Sequence, residues 1–416
     1  MKIFSYELLR VKRMPFAFLL MVALTACSCG SEGPILNYDD QAYRFTSERP
    51  IAASSTHACT IDVESKLWCW GRDYYGEATG SGEHRDEDDP QLSPFHVLPG
   101  ETFKYVGVTQ GTTYAIKTDG TLWSWGSDGF GARGSDDIPN NAPYAPMQVG
   151  TDNTWKMVRG SSRNYQACAI KEDSSLWCWG DNRYGMVGSG TMSSQISTPE
   201  QVGSDIQWLD VQLSIFSTCG VSTNQDLYCW GWNSAIESTL DDDDLNTGIV
   251  TSLPSRALEG LKIRSLSMGG GNGCALTTDG DLHCWGTNDV GQLLGTEKLS
   301  KQHGPRKVYS NNDWVKVAVP GSKMCGLKID GSVECWGGNV AGSLGRGISG
   351  DDLRVSLDIL PVVGNITFTD IFVGSGAVFA KDINDNIYGW GGGLYGLMGQ
   401  GEVIIENPSP VLISLQ

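Results

Sequence analysis

Residues 274–286 read Cys-Ala-Leu-Thr-Thr-Asp-Gly-Asp-Leu-His-Cys-Trp-Gly. Two short runs of apolar and β-forming residues flank the Asp-Gly pair, which is a strong signal for a β-hairpin. The closing Trp-Gly pair recurs seven times, beginning at Trp70, Trp125, Trp179, Trp230, Trp285, Trp336 and Trp390. The intervals between these tryptophans are 55, 54, 51, 55, 51 and 54 residues. This nearly constant period predicts one supersecondary unit repeated seven times across residues 46–416.

Cysteines set the register of the hairpins. Five repeats contain two cysteines ten positions apart, and an acidic or amide residue lies midway between them. The pairs are Cys59 and Cys69, Cys168 and Cys178, Cys219 and Cys229, Cys274 and Cys284, and Cys325 and Cys335. A three-residue loop with a left-handed last residue places each pair directly opposite across two antiparallel strands, at the separation that a disulfide needs.

The two remaining repeats lack both cysteines together. Repeat two has Tyr114 and Ser124 at these positions, and repeat seven has Phe379 and Gly389. Bonded partners are expected to disappear in pairs, whereas two ligands per repeat would not complete a tetrahedral zinc site. We therefore predict five disulfides, each within one repeat, and no metal bound by these cysteines.

Further apolar segments precede each hairpin, such as residues 103–108 and 155–158, and a Pro-led segment precedes each of these. Each repeat thus supplies about four short strands, and four-stranded sheets repeated radially form a β-propeller. We predict an all-β protein, a seven-bladed β-propeller with four short antiparallel strands per blade. Because the first repeat opens at a hairpin-side strand and the last ends on a Pro-led strand, we expect the two termini to complete one shared blade.

The hairpin, the Trp-Gly strand and the following Asn with spaced glycines (Asn182, Gly185 and Gly188) form one combined pattern. This pattern resembles the regulator of chromosome condensation repeat, and the resemblance covers about nine tenths of the chain. The founding member of that family is a nucleotide-exchange factor for a small GTPase and binds chromatin. Certain bacterial members inhibit β-lactamases through one loop-lined face, so the resemblance implies protein binding in more than one form.

The formal net charge of −18 argues against nucleic acid as a partner, because phosphate binding needs clustered Lys and Arg. The N-terminal residues predict export, as described below, and an exported acidic chain would meet neither a small GTPase nor chromatin. Guanine-nucleotide exchange therefore describes ancestry only, and a β-lactamase-inhibitor-like activity stays open as an alternative.

The first 26 residues resemble a signal peptide. Basic residues as far as Arg13 precede an apolar run over residues 16–24, which is too short to span a membrane as a mature helix. The run ends in Leu24-Thr25-Ala26-Cys27, which resembles a bacterial lipoprotein processing site. We expect cleavage to leave Cys27 as a lipidated N-terminus, with residues 27–45 as a tether; an ordinary signal peptide is the alternative. Ser28 in place of Asp favours the outer membrane over the inner one.

Acidic runs all fall between a Trp-Gly pair and the next Pro-led strand, in repeats one, two, four and six. They are Asp86, Glu87, Asp88 and Asp89; Asp136 and Asp137; Asp241, Asp242, Asp243 and Asp244; and Asp351 and Asp352. Equivalent positions in a ring of blades share one face, so these loops should form one negative surface and are the candidate binding face. Three interpretations stay open: solvation of the surface, calcium binding by adjacent carboxylates, and binding of a basic protein or envelope component.

The sequence offers no recognisable catalytic pattern. The five His residues recur at no common position, and there is no phosphate-binding Gly-rich loop, paired-His metal site or nucleophile elbow. We expect a binding or scaffold module rather than an enzyme, without a cofactor and monomeric. An enzyme would need a cluster of titratable groups at the central channel, where distant residues converge.

Overall fold

The computed structural model describes residues 50–86, 89–138, 144–232, 250–293, 299–310, 313–349 and 355–415. These residues form seven antiparallel sheets of four strands, and each sheet is built from four strands consecutive in the chain. Blades 1 to 3 contain β1 (Ile51–Ala53), β2 (His57–Ile61), β3 (Leu67–Gly71) and β4 (Gln91–Val97); β5 (Phe103–Val108), β6 (Thr112–Lys117), β7 (Leu122–Gly126) and β8 (Met147–Gln148); β9 (Trp155–Gly160), β10 (Gln166–Lys171), β11 (Leu176–Asp181) and β12 (Gln195–Val202).

Blades 4 to 7 repeat this order. They contain β13 (Trp208–Leu213), β14 (Ser217–Ser222), β15 (Leu227–Trp232) and β16 (Val250–Ala257); β17 (Ile263–Gly269), β18 (Asn272–Thr277), β19 (Asp281–Asn288) and β20 (Leu299–Ser310); β21 (Trp314–Ala318), β22 (Lys323–Lys328), β23 (Val333–Gly338) and β24 (Val355–Pro361); β25 (Phe368–Val373), β26 (Ala377–Asp382), β27 (Ile387–Gly393) and β28 (Ile404–Ile413). The helical segments in the described ranges include short 3-10 turns over Gly129–Gly131, Val340–Gly342 and Leu394–Gly396. None of the described helices is long and apolar enough to cross a membrane.

The predicted hairpin register is confirmed in the second and third strands of the blades. Cys168 lies opposite Cys178, and the loop closes when the N–H of Lys171 donates to the carbonyl oxygen of Ser175. Three residues therefore form each loop, and the last of them has a positive φ in all seven blades, as the turn requires. These residues are Ser65, Gly120, Ser174, Gln225, Gly280, Gly331 and Asp385.

All five predicted disulfides are present in the structure. They join Cys59 to Cys69, Cys168 to Cys178, Cys219 to Cys229, Cys274 to Cys284, and Cys325 to Cys335. In blade 2 the equivalent residues make hydrogen bonds instead: the Tyr114 hydroxyl donates to the Ala132 carbonyl oxygen, and the Ser124 hydroxyl donates to that of Arg133. Disulfides in this number are typical of an oxidising, extracytoplasmic compartment.

The expected shared blade is wrong. Residues 51–53 form the innermost strand of blade 1, so blade 1 is complete without a C-terminal strand, and β28 completes blade 7. The three residues of β1 are too short to give a readable strand pattern in the sequence. Side-by-side packing closes the ring instead: the inner strands contact one another in the order β1, β5, β9, β13, β17, β21 and β25, and β25 contacts β1.

The tryptophan of each Trp-Gly pair is buried between two blades. For five of the seven, a described hydrogen bond joins the indole Nε1 to a carbonyl oxygen in the β3–β4-type loop of the preceding blade. Trp179, for example, donates to Ala132 over 2.8 Å, and Trp230 donates to Met186 over 2.7 Å. Each of these five indoles thus combines a large buried apolar area with a satisfied polar group, whereas the Trp390 Nε1 is buried without a hydrogen-bond partner among the described residues.

The glycine of each pair is required by the backbone. Gly180 has φ +100°, and a Cβ there would lie 2.1 Å from the Tyr165 carbonyl oxygen. The pairing register shifts at this point, between Cys178 and Gly180. The same shift occurs in six of the seven blades, and the glycine of all seven pairs has a positive φ, which only Gly adopts without strain. The recurring pair is explained by the packing of the ring, so function must be sought elsewhere.

Candidate binding face

Strand direction divides the connections between two ends of the ring. The first-to-second and third-to-fourth strand connections of each blade leave from one end, here called the loop face. The three-residue hairpins and the connections between blades leave from the other end, here called the hairpin face. Direct bonds join the two kinds of loop on the loop face: the N–H of Ser127 donates to the Gly111 carbonyl oxygen, and that of Trp232 donates to Phe216.

The described part of the acidic runs lies exposed on the loop face. Asp86 and Asp89 are in blade 1, and Asp136 and Asp137 are in blade 2. Asp89 lies 3.9 Å from Arg85, whose guanidinium is closer to Asp73, at 3.1 Å. Within the described ranges, Asp86, Asp136 and Asp137 form no ion pair. Eight predicted residues lie outside the described residues: Glu87, Asp88, Asp241, Asp242, Asp243, Asp244, Asp351 and Asp352.

The loops on this face share an internal scaffold. In blades 1, 2, 3, 5 and 6 an Asn or Asp three residues after the Trp accepts a hydrogen bond from the N–H five residues further on, and blade 7 has Gly393 there. In blade 3 the Asn182 side-chain oxygen accepts from Val187 over 3.0 Å, and in blade 1 the Asp73 carboxylate accepts from Ala78 over 2.9 Å. A Cβ on the second spaced glycine of blade 3, Gly188, would lie 2.5 Å from the Trp230 Nε1, so this glycine leaves room for the next blade's indole.

Two residues at the tip of each scaffold take no part in it. They lie between this Asn or Asp (Gly393 in blade 7) and the first spaced glycine, and they are exposed or half-buried. The described pairs are Tyr74 and Tyr75, Gly129 and Phe130, Arg183 and Tyr184, Asp289 and Val290, Val340 and Ala341, and Leu394 and Tyr395. Sequence reasoning missed these tips, although alignment of the repeats on the Trp-Gly pair would have marked them as variable positions inside a fixed frame.

Blades 1 to 4 carry aromatic side chains in contact with one another on the loop face. We call this set the aromatic arc: Tyr74, Tyr75, His84, Phe130, Tyr144, Tyr165, Tyr184, Phe216 and Trp232. At its blade 1 end, the ring centroids of Tyr74 and His84 are 4.1 Å apart, and those of Tyr75 and Tyr144 are 5.2 Å apart. At this end, the rings therefore lie on the same loops as the described acidic residues of blades 1 and 2.

Further along the arc, a ring at the tip of one blade contacts a ring on a loop of the next blade. Phe130, at the tip of blade 2, lies 5.9 Å from the Tyr165 ring of blade 3. Tyr184, at the tip of blade 3, lies 5.4 Å from the Phe216 ring of blade 4 and stacks on Trp232 at 5.3 Å.

Arg183 connects the two halves of the arc. Its guanidinium lies 4.5 Å from the Phe130 ring centroid, and the Asp181 carboxylate holds it at 2.6 Å.

The central channel contains a second group of charged side chains. Arg159 lies 3.5 Å from Asp210, and Lys316 lies 2.6 Å from Asp370, so each carboxylate has a cation beside it. Burial raises the pKa of Asp210, opposed by the Arg159 charge, and burial raises the pKa of Tyr105 to about 12. The cavity has a volume of about 110 Å³. The described part of the channel thus pairs each of these two carboxylates with a cation.

In blades 1, 3, 5 and 6, a buried polar residue at the start of the second strand connects it to the next blade. The His57 Nε2 lies 2.8 Å from the Thr113 hydroxyl, which itself donates to the Glu77 carbonyl oxygen. The hydroxyl must therefore accept from His57, which is neutral with its proton on Nε2. Burial, with a smaller contribution from the Arg72 charge, lowers the pKa of His57 to about 3. His57 thus has a structural role, because it joins blade 1 to Thr113 of blade 2.

At the equivalent position of blade 6, Lys323 donates to the Gly376 carbonyl oxygen over 3.1 Å. Burial, together with repulsion from Arg163, lowers the pKa of Lys323 to about 7. Nowhere among the described residues do three or more His, Cys, Asp or Glu side chains assemble as a metal site.

Seven complete four-stranded sheets closed into a ring define the class: the protein is a seven-bladed β-propeller. The model of the regulator of chromosome condensation repeat matches residues 263–292, which lie in blade 5. RUG3, a mitochondrial protein of Arabidopsis thaliana that contains this domain, is 26% identical over 343 residues, covering 80% of this chain and 73% of RUG3. The ultraviolet-B receptor UVR8 of the same plant is 28% identical over 290 residues, covering 69% of this chain and 64% of UVR8.

A solved structure shares the architecture. The crystal structure of Prp20p from Saccharomyces cerevisiae superposes with a TM-score of 0.69 at 18% identity, covering 92% of this chain and 90% of that chain. The family-model match and these relatives support the regulator of chromosome condensation repeat family as the one that the chain resembles. About a third of UVR8 lies outside the match, and the identities are low, so the activities of these proteins are not transferred with the fold.

Proposed function

We propose that the chain is a lipid-anchored, extracytoplasmic β-propeller that acts as a protein-binding or scaffold module of the cell envelope, with the loop face as its binding surface. The observation that carries the proposal is the contrast between the two faces. Fixed turn geometry fills the hairpin face, whereas the loop face presents exposed tips that differ from blade to blade on one rigid frame. Binding residues are commonly placed on loops held by such a frame.

Two further features support the proposal. Asp86, Asp136 and Asp137 are exposed without an ion pair among the described residues, so they give this face an uncompensated negative charge. Prp20p, which shares the fold, is described by its binding properties to Gsp1p and histones. A propeller of this architecture is therefore suited to protein partners, although neither partner is implied for this chain.

The envelope location rests on the N-terminal sequence and on the disulfides. The Leu-Thr-Ala-Cys context ending at Cys27 follows a short apolar run, and five disulfides need an oxidising compartment. Both agree with an exported lipoprotein, and Ser28 favours the outer membrane.

The rival functions are less well supported. Inhibition of a β-lactamase would be one special case of protein binding by the loop face, and no described residue selects that target. An enzyme is disfavoured because both carboxylates of the channel pairs have a cation beside them. Guanine-nucleotide exchange would require a partner that an exported protein does not meet.

The test uses two charge variants of the full chain. The loop-face charge variant carries Asp86→Asn, Asp136→Asn and Asp137→Asn. The hairpin-face control carries Glu64→Gln, Asp205→Asn and Glu259→Gln, which removes the same charge from exposed positions on the other face. We expect co-purification of an envelope protein to weaken and lose salt dependence in the loop-face variant alone. Equal losses in both variants would show non-specific attraction to an acidic protein, and no change in either would show that these acidic residues only solvate the surface. A calcium-dependent melting temperature lost with the loop-face variant would identify an ion site instead.

A further inference from the structure

The aromatic arc is larger than the packing of the ring requires. The indoles that hold the blades together lie beneath it, fully buried, whereas Tyr184 and Trp232 are half-buried and Phe216 is 38% exposed. Several groups of accessible aromatic rings on one face are typical of an interaction site rather than of a solvated surface.

The charges around the arc are not balanced. Its neighbouring cations are held by carboxylates of the same chain: Arg72 by Glu77 at 2.6 Å, Arg85 by Asp73, and Arg183 by Asp181. Arg163 is different, because it donates to the Ser375 hydroxyl across the channel mouth, on the inner side of the arc.

Toward the outer strands, the loops carry Glu83, Asp86, Asp136 and Asp137. All four side chains are exposed, and none forms an ion pair within the described ranges. The outer side of the arc is therefore negative.

One contact shows which chemical group the rings accept. The Arg183 guanidinium lies 4.5 Å from the Phe130 centroid, and the Asp181 carboxylate holds it there. An aromatic ring with a carboxylate beside it thus binds a guanidinium within this chain, through a cation–π contact and a charged hydrogen bond. The remaining rings, and the exposed carboxylates on the same loops of blades 1 and 2, offer the same two chemical groups to a guanidinium or ammonium from outside.

We propose that the aromatic arc and its acidic outer side bind an extended segment of a partner protein rich in arginine and lysine. The proposal rests on the proposed function and specifies the partner's chemistry. Cationic side chains stack on the tyrosine and phenylalanine rings, while Asp86, Asp136 and Asp137 attract the segment electrostatically. Nucleic acid is excluded from this surface by the same carboxylates.

The test is a titration of the full chain with a fluorescein-labelled nona-arginine peptide, followed by fluorescence anisotropy. An arc variant carries Tyr75→Ser, Tyr184→Ser and Phe216→Ser, and a matched ring-preserving variant carries Tyr75→Phe and Tyr184→Phe. We expect the arc variant to bind at least about tenfold more weakly, and the ring-preserving variant to bind like the natural chain. The loop-face charge variant should bind several-fold more weakly with a reduced salt dependence, and the hairpin-face control should be unchanged.

Other results would overturn the proposal. Equal losses in the loop-face variant and the hairpin-face control would show non-specific attraction to an acidic protein. Peptide binding that survives in the arc variant would remove the rings from the site. Quenching of tryptophan emission by neutral chitohexaose, without peptide binding, would assign the rings to a glycan. If the arc variant fails to fold, the loop-face charge variant, the hairpin-face control and the ring-preserving variant still decide whether the peptide binds this face.

Failure of the cationic-segment proposal can be distinguished from failure of the proposed function. Absence of peptide binding together with a protein cross-linked to the loop face in cells would reject the cationic segment and leave the protein-binding module intact. Absence of both would reject the two together.

Discussion

The indole Nε1 of Trp70 donates a 2.7 Å hydrogen bond to the carbonyl oxygen of Leu397, 327 positions later in the chain. This bond is the same blade-to-blade contact that Trp179 makes with Ala132 within continuous chain. Here it joins blade 1 to blade 7, where no strand crosses from one sheet to the other. Closure of the ring therefore depends on side-chain packing at this seam.

Replacing Trp70 should open the seam. Trp70→Phe removes the hydrogen bond, leaves the Leu397 carbonyl oxygen without its donor and creates a cavity, which should lower the free energy of unfolding by about 2–4 kcal/mol. Trp179→Phe is the matched control at a seam where the chain is continuous. In hydrogen exchange, we expect the Trp70 variant to expose blades 1 and 7 first and to be the less stable of the two. A Trp179 variant that is equally or more destabilised would show that the terminal seam has no special role.

The disulfides should be independent local supports. Each closes a loop of about ten residues, so reduction of one should cost roughly 2–3 kcal/mol by the chain-entropy estimate. Peptide mapping of the non-reduced protein should find links only within repeats. The same register predicts that Tyr114→Cys with Ser124→Cys in blade 2 forms a sixth disulfide, because these residues already lie opposite each other. A link between two repeats, or failure of the engineered pair to oxidise, would contradict the register.

His57 should make the ring sensitive to acid. The pKa of His57 is about 3 in the folded protein, whereas its ordinary value of 6.5 applies to the unfolded chain. Between these pH values the unfolded chain therefore binds a proton that the folded chain does not. The free energy of unfolding must then fall as the pH drops from 7 to 3, by roughly 4 kcal/mol from this residue.

His57→Gln should remove that part of the dependence. Gln is the residue at the equivalent position of blade 3, where Gln166 donates to the Thr218 hydroxyl over 2.9 Å. Urea unfolding of both proteins from pH 7 to pH 3 checks this expectation. Curves that run parallel across that range would show that His57 is already protonated or exposed.

Lipidation should depend on Cys27. Metabolic labelling with a fatty-acid analogue should mark the natural chain and leave Cys27→Ala unlabelled, because the acyl chain is attached at the cysteine that follows the cleaved signal. Cys29→Ala serves as the control and should label normally. Label that persists without Cys27 would move the site or refute the lipoprotein assignment.

Some of these features could be predicted from the sequence because they depend on local geometry. The Trp-Gly period defines the number of blades, and the ten-residue Cys spacing defines the hairpin register, since both follow from contacts between adjacent strands. The strand Ile51–Ala53 could not be predicted, because three residues carry no periodic signal and their role is set by β2 beside them. The contact of Tyr184 with Phe216 joins two blades, so it depends on how the ring packs.

Partner binding at the loop face is the central claim, and site-specific photo-cross-linking in cells tests it most directly. A benzophenone amino acid would replace Phe216 on the loop face in one variant and Val63, 70% exposed in a hairpin loop, in the other. We predict a discrete protein adduct from position 216 that weakens in the loop-face charge variant, and none from position 63. Adducts from position 63 alone, or equal adducts from both positions, would contradict the assignment of the loop face as the binding surface.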